Sequence, residues 1–248
     1  MKQIKMNNTF VIGDIHGGLK ALQQVLERAN VTQNDKLIFL GDYVDGWSDT
    51  ANLLDFLIDL NKKQDCIFLM GNHEEMVLKW LKGEEDNELW RFHGGQSTVD
   101  IYENISDEKK QLHIAFLSDL KKYYLDDNNR LFIHAGFTNL KGVDFEFFRP
   151  LFWWDRTLWE TAMALGNDIL EDDIRYPSRF KLYSEIFIGH TPTTRFDETE
   201  PMHFANVWNI DTGAAFKGKL TLMHVDTKQF WQSDSLPSLY PNEKGRNI

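Results

Sequence analysis

The stretch Thr9-Phe10-Val11-Ile12-Gly13-Asp14-Ile15-His16-Gly17 decides the fold, because a short apolar run leads directly into a turn of glycine, carboxylate and imidazole. Residues 37–40, 67–70, 131–133 and 186–188 repeat this pattern, and they lead into Asp42, Asn72, His134 and His190 respectively. Short continuous runs of β-prone apolar residues predict buried strands. The sequence therefore predicts at least five buried strands, each followed by a polar side chain.

Helical patterns separate the first three runs. Apolar side chains recur on one helical face at Leu19, Leu22 and Leu26, and a second face includes Leu53 and Leu57. After His190, residues 207–210, 220–225 and 230–231 are expected to be strands. Alternating strands and helices predict an α/β (α+β) fold with layered sheets, in which ligands bind outside the carboxyl ends of the strands.

Composition narrows the functional classes. The chain has 248 residues and a net charge of −11, which argues against nucleic-acid and anionic-membrane partners. No stretch approaches the ~20 apolar residues of a membrane span. Cys66 is the only cysteine, and no apolar signal-peptide core follows Lys2 and Lys5, so we expect a cytoplasmic protein.

One catalytic domain is expected over residues 1–239. Residues 82–125 are rich in charge, and we interpret them as a helical or loop insertion, or a cap, with a helix over 107–120. Residues 240–248 are expected to form a polar C-terminal tail.

The polar residues after the strands suggest a metal site. A lone aspartate there is commonly a turn residue or a helix cap, and a lone histidine is commonly a core residue. Several at one sheet edge favour a metal, and mixed carboxylate, imidazole and amide ligands suit Mn, Fe or Zn. The candidate ligands are Asp14, His16, Asp42, Asn72, His134 and His190.

Five segments, 13–17, 41–45, 71–74, 134–136 and 189–191, together resemble the calcineurin-like metallophosphoesterases, closest to the phosphoprotein phosphatase branch. Residues 94–95, 154–156 and 210–214 further resemble its bacterial and phage members. The resemblance implies a central β-sandwich flanked by helices, with a dinuclear metal site at the carboxyl ends of the strands. It implies that Asp14 and His16 bind one ion, that Asp42 bridges, and that Asn72, His134 and His190 bind the other.

The resemblance also implies catalytic roles. A hydroxide bridging the ions would attack phosphorus in line with the leaving oxygen. His73 would protonate the leaving oxygen, and Asp45 would orient His73; alternatively, Asp45 caps a helix. Arg156 and Asn72 would contact the substrate phosphate, although Arg156 could also be a surface residue at a helix start.

The sequence departs from the family pattern after Asp45. The family has an arginine there, whereas this chain has Gly46-Trp47. Trp47 either packs against the fold, the favoured reading, or stacks on an aromatic leaving group. Arginine at position 46 is expected to lower KM if the backbone tolerates a Cβ, unless Arg91, Arg175, Arg179 or Arg195 already fills the role.

The expected activity is hydrolysis of phosphomonoesters with two divalent ions, Mn first and Fe or Zn as alternatives. A Ser/Thr or dual-specificity protein phosphatase, acting on a phosphorylated protein or a small phosphoester, is the first reading. Two alternatives stay open: a symmetrical dinucleoside tetraphosphatase, and a phospho-binding module without catalysis. The oligomeric state is not predicted.

Overall fold

A computed structural model describes residues 7–247. Its strands are β1 (Thr9–Ile12), β2 (Lys36–Phe39), β3 (Cys66–Phe68), β4 (Tyr123–Leu125), β5 (Arg130–Ile133), β6 (Glu185–Ile188), β7 (Met202–Phe204), β8 (Val207–Asn209), β9 (Thr221–His224) and β10 (Phe230–Gln232). Its α-helices are α1 (Leu19–Arg28), α2 (Thr50–Asn61), α3 (Asn72–Leu81), α4 (Glu88–Trp90), α5 (Gln96–Tyr102), α6 (Asp107–Ser118), α7 (Leu151–Trp154), α8 (Thr157–Leu165) and α9 (Leu236–Leu239).

The strands form two five-stranded mixed sheets. The first has the order β10-β9-β1-β2-β3, and the second has the order β4-β5-β6-β8-β7. Strands β1, β2 and β3 are parallel, as are β5, β6 and β8, while the remaining strands pair antiparallel toward the edges. In each sheet, neighbouring parallel strands therefore end at the same edge, which collects the polar residues that follow them.

The two sheets face each other across an apolar core. This core joins buried side chains of the first sheet, such as Val11 and Ile38, to Phe132 and Phe187 of the second. The Phe132 and Phe187 rings stack with centroids 4.9 Å apart. Two further clusters pack helices on the outer faces, one including α1 and α2 and the other α7 and α8. The expected β-sandwich flanked by helices is confirmed.

Most predicted elements lie within one or two residues of the observed ones. The helix expected over 107–120 is α6, Asp107–Ser118. Strands β4 and β7 were missed because both are short edge strands of half-buried or exposed residues, with no apolar run. Strand β4 also lies within the expected insertion 82–125, whose last residues therefore belong to the second sheet. Among residues 7–247, no helix is long and apolar enough to span a membrane.

The segment after α9 lies against the body of the molecule. Tyr240, where the polar tail was expected to begin, is buried. Its ring stacks on Trp47 with centroids 5.3 Å apart, and its hydroxyl donates to Asp49 Oδ2 at 2.8 Å. Trp47 is fully buried and donates from Nε1 to the Ala214 carbonyl at 2.7 Å. Trp47 therefore packs inside the fold, and it offers no face to a substrate.

The burial of Trp47 predicts a large effect on stability. Trp47→Ala should lower the free energy of unfolding by about 3–5 kcal/mol, because it removes a fully packed indole and leaves a cavity. Urea titration checks this. The matched control is Phe147→Ala, at a residue that is 94% exposed, which should change stability by less than about 0.5 kcal/mol. Equal losses in the two variants would contradict the packing role of Trp47.

Candidate active site

All six candidate metal ligands meet at one edge of the sandwich. Each lies directly after a strand or within four residues of its end, and the side chains of all six are buried: Asp14, His16, Asp42, Asn72, His134 and His190. Asp42 lies between two imidazoles, with its Oδ2 3.5 Å from His16 Nε2 and its Oδ1 3.5 Å from His134 Nε2. Asn72 Oδ1 lies 2.9 Å from His190 Nδ1 and 3.3 Å from His134 Nε2.

Two groups of side chains are arranged to hold a metal ion each. One is His16, Asp42 and His73, and the other is Asp42, His134 and His190; within each group the ligand atoms lie within 4.8 Å of one another. The first group contains His73, which was predicted to be the proton donor, in place of Asp14, which was predicted to be a ligand. Asp42 belongs to both groups, as a bridging ligand would. Asp14 Oδ1 and His190 Nε2 are buried and have no hydrogen-bond partner among residues 7–247. Buried polar atoms normally have a partner, so these two atoms fit a site for divalent cations.

Close approach of backbone and side chain requires glycine at two of these turns. A Cβ on Gly189 would lie 2.1 Å from Asp14 Oδ1, and a Cβ on Gly71 would lie 2.2 Å from Asp42 Oδ1. Neither position can carry a side chain without moving a candidate ligand. The glycines beside the motif residues therefore have a steric reason.

Glu74 holds the turn that carries Asp42. Its carboxylate is fully buried; Oε2 accepts from the amides of Asp42 and Gly71, and Oε1 accepts from those of Tyr43 and Val44. Burial, with the neighbouring Asp42 carboxylate, raises the pKa of Glu74 to about 8. Four backbone donors on one carboxylate stabilise a turn in which Asp42 has a φ of 52°.

The electrostatics of the site favour a charged Asp42 among neutral imidazoles. Burial raises the pKa of Asp42, and positive charge on His134, His73, His16 and His190, when these imidazoles are protonated, lowers it. Burial lowers the pKa of His16, His134 and His190. Neutral imidazole is the form that binds a metal ion, so the surroundings prepare these histidines as ligands.

His73 is held by a buried carboxylate. Its Nδ1 lies 2.6 Å from Asp45 Oδ2, which leaves Nε2 for the site. Asp45 is fully buried and also accepts from Trp90 Nε1 at 2.6 Å and from Thr98 Oγ1 at 2.5 Å. The helix-cap alternative for Asp45 is wrong, because the N-cap of α2 is Asp49. The sequence analysis missed Trp90 and Thr98, both within the expected insertion 82–125.

Three guanidinium groups border the site. Arg156, Arg195 and Arg246 line the cavity that contains the candidate ligands. Arg156 precedes α8 and donates from Nη1 to Thr191 Oγ1 at 2.9 Å. Burial lowers its pKa, and the positive charge of Arg195 lowers it further. Within residues 7–247, none of the three forms an ion pair with an acid.

The four arginines that could replace the one absent after Asp45 differ in whether they lie at the site. Arg91 pairs with Asp86, Arg175 pairs with Asp173, and Arg179 donates to the Phe137 carbonyl, so of the four only Arg195 borders the site. Nothing in the sequence around Arg246 indicates that it borders the site.

Position 46 does not accept an arginine easily. Gly46 has a φ of +100°, and a Cβ there would lie 3.2 Å from the His16 carbonyl oxygen. The left-handed backbone strains any other residue. The backbone therefore does not meet the condition under which arginine at this position was expected to lower KM.

Asp211 is a further residue of the site that had no predicted role. Its side chain is buried and lines the same cavity as the candidate ligands. Burial raises its pKa to about 6, and the charge of Asp42 adds to this. Residues 210–214 carried part of the family resemblance, so a signal for this residue was present but unassigned.

The site consists of a small centre and two larger cavities. The centre has a volume of about 40 Å³, which accommodates ions and a few waters but no ester. A cavity of about 310 Å³ adjoins it and is lined in part by Met76, Leu89, His93 and Trp154. Another, of about 570 Å³, includes Phe216 and Lys217. Substrate therefore has room beside the centre rather than within it.

The fold and the candidate metal site at this edge of the sandwich identify the protein family. The family model for calcineurin-like phosphoesterases matches residues 8–212, and the chain belongs to that family. The family depends on two metal ions, and its chemistry makes this chain a phosphoester hydrolase. This favours hydrolysis over the phospho-binding module.

The chain is similar to relatives with named activities. The chain is 26% identical over 235 residues to the asymmetrical bis(5'-nucleosyl)-tetraphosphatase PrpE of Oceanobacillus iheyensis, covering 89% of each chain. It is also 26% identical to the enzyme of that name from Bacillus thuringiensis, over 93% of this chain and 94% of the relative.

Solved structures show the same fold. One is a protein proposed to be a diadenosine tetraphosphatase, with a TM-score of 0.61 and 17% identity, over 92% of this chain and 94% of that one. Another is a protein serine/threonine phosphatase from Saccharomyces cerevisiae, with a TM-score of 0.61 and 13% identity, over 92% and 80%.

Asp42 belongs to both groups of candidate metal ligands, and this predicts the effect of removing its charge. Asp42→Asn should release at least one of two bound metal ions and abolish nearly all turnover, because a neutral amide bridges two cations poorly. Metal analysis after dialysis checks this. Asp59→Asn, on the exposed face of α2, is the control and should retain both ions. Two tightly held ions and normal turnover in Asp42→Asn would refute the bridging role.

Proposed function

We propose that this chain hydrolyses dinucleoside polyphosphates asymmetrically with two divalent ions, manganese being the first candidate. The observation that carries the proposal is the group of three arginines, Arg156, Arg195 and Arg246, beside one candidate dinuclear centre in a chain of net charge −11. A protein with this overall charge concentrates guanidinium groups at one site only where an anion must bind.

The number of cations supports a polyphosphate rather than a monoester. A tetraphosphate bridge carries about four negative charges, against about two on a phosphomonoester. Two divalent ions alone suit the phosphoryl group under attack. Three further guanidinium forks beside them match the oxygens of a longer phosphate chain.

The adjoining cavity supports a nucleoside. Its volume of about 310 Å³ lies at the lower end of small-ligand sites, which span roughly 300–1,000 Å³. Trp154 in its wall is 44% exposed, so an indole face is available for a base. The cavity shares Asn72, His73 and Arg156 with the metal-ligand centre. A nucleoside bound there would present its own first phosphate to the centre.

That placement favours attack at the first phosphate, the one attached to the bound nucleoside. Water would add to this phosphorus, and the bond between it and the next bridging oxygen would break, which releases a nucleoside monophosphate and a nucleoside triphosphate. The names of the relatives from Oceanobacillus iheyensis and Bacillus thuringiensis, asymmetrical bis(5'-nucleosyl)-tetraphosphatases, agree with this outcome.

The chain's residues would divide the work as follows. Asp14, His16, Asp42, Asn72, His134 and His190 would hold the two ions, which when bound acidify water and neutralise phosphoryl charge. His73 would donate its Nε2 proton to the leaving oxygen, and Asp45 would keep its Nδ1 protonated and its ring oriented. Arg156 would hold a phosphoryl oxygen, and Asn72 would contact one as well.

A substrate panel tests the proposal against the readings that the sequence left open. Manganese-loaded protein should hydrolyse diadenosine tetraphosphate with higher kcat/KM than p-nitrophenyl phosphate or a phosphoserine peptide. Chromatography should detect AMP and ATP in equal amounts. ADP alone would instead support symmetrical cleavage, and a preference for the phosphopeptide would support a protein phosphatase.

The proton donor can be tested with leaving groups. His73→Asn should retain both metal ions and slow hydrolysis of an alkyl phosphate by about 10²–10⁴-fold. The loss should be smaller for p-nitrophenyl phosphate and for a dinucleoside polyphosphate, whose leaving groups need little protonation. Trp90→Phe, which removes only one donor to Asp45, is the milder companion. Equal losses on alkyl and p-nitrophenyl phosphates would assign His73 a structural role.

A further inference from the structure

The C-terminal segment, residues 240–247, is fixed across one side of the site. Tyr240 packs on Trp47, and Glu243 accepts from the amide and the hydroxyl of Ser48 at 2.9 and 2.7 Å. Gly245 has a φ of +58°, and a Cβ there would lie 2.6 Å from Trp47 Cζ2. The Arg246 amide donates to the Ala215 carbonyl at 2.9 Å. The segment therefore has a defined path that ends at the candidate centre.

The Arg246 side chain passes through a gap between two glycines. A Cβ on Gly94 would lie 2.7 Å from Arg246 Cγ, and a Cβ on Gly46 would lie 3.4 Å from the same atom. At the end of this gap, Nε donates to the His93 carbonyl at 2.8 Å, and the guanidinium carbon lies 5.2 Å from the Phe216 ring centroid. These contacts fix the stem and the plane of the guanidinium.

Among the described residues, one nitrogen of the Arg246 guanidinium donates a hydrogen bond and two do not. Nη1 and Nη2 have no acceptor among residues 7–247, whereas Nε donates to the His93 carbonyl. The side chain is half-buried, and it lines both the 40 Å³ centre and the 310 Å³ cavity. An arginine held by its stem and one nitrogen, with the remaining fork open toward a cavity, is arranged for phosphate.

We propose that Arg246 binds the phosphoryl oxygens of the substrate, so that the C-terminal segment is part of the substrate site and supplies the guanidinium that position 46 lacks. The proposal rests on the proposed function only in that the site binds a phosphate; it does not depend on a dinucleoside being the substrate. Release of residues 240–247 would then weaken substrate binding without disturbing any candidate metal ligand.

Binding of inorganic phosphate to the metal-loaded protein tests this assignment. Arg246→Gln keeps a polar stem that can still donate to the His93 carbonyl, but it removes the charge and the fork. By calorimetry, it should weaken phosphate binding by about 10- to 100-fold, the value of one charge-assisted contact, with unchanged metal content. Arg246→Lys should lose less, because the ammonium keeps the charge without the fork. KM for the substrate should rise more than kcat falls.

Lys244→Gln is the matched control, since it removes one positive charge two residues away on the exposed side of the segment. It should leave phosphate affinity within twofold. Phosphate affinity within twofold of the unmodified protein in Arg246→Gln would overturn the proposal, as would an equal loss in Lys244→Gln. Thermal unfolding checks that each variant is folded. If Arg246→Gln is not folded, the phosphate affinity of Arg246→Lys tests the proposal instead.

The outcome also separates this proposal from the function of the site. Weaker phosphate binding in Arg246→Gln with no turnover of dinucleoside polyphosphates would support Arg246 and reject that substrate class. Turnover of dinucleoside polyphosphates with unchanged phosphate affinity in Arg246→Gln would reject Arg246 alone.

Discussion

The structure depends on one buried charge, the carboxylate of Asp42. Its side chain is almost inaccessible, and an uncompensated charge in such a place is costly. Beside the carboxylate lie imidazoles from both sheets, with His16 Nε2 3.5 Å from one oxygen and His134 Nε2 3.5 Å from the other. Because His134 follows β5 of the second sheet and Asp42 follows β2 of the first, the two sheets must be stacked with their strand ends aligned. The stacking of the two sheets and the candidate metal centre therefore depend on each other.

The turns at this edge accept unfavourable backbone geometry as a consequence. His16, Asp42 and His190 all have positive φ angles, which non-glycine residues seldom adopt. Such conformations persist only where neighbouring contacts hold them. Glu74 does this for Asp42 through four backbone amides, and a Cβ at Gly189 has no space beside Asp14. These contacts hold the turns in the geometry that brings the candidate ligands close together.

The sequence predicted what local pattern determines, and it failed where tertiary contacts decide. An apolar run followed by a polar turn carries both the strand and the candidate ligand, so the main strands and the candidate ligands could be predicted together. Edge strands β4 and β7 are three residues long and contain no fully buried residue, so no such run marks them. Trp90 lies 45 residues from Asp45 along the chain, and no spacing rule connects an indole N–H to a carboxylate at that distance. The role proposed for Arg246 could not be predicted for the same reason, because it depends on contacts with residues far away along the chain.

The departure at Gly46-Trp47 and the path of the C-terminal segment belong to a single rearrangement. Gly94 leaves the space that the Arg246 stem occupies, and Trp47 supplies the surface on which Tyr240 and Gly245 pack. The positive φ of Gly46 disfavours an arginine there, and a smaller residue at position 47 would leave Tyr240 without its stacking partner. If Arg246 binds phosphate as proposed, the segment after α9 is joined to substrate binding through Trp47, and the stability of that packing sets how firmly the substrate is held.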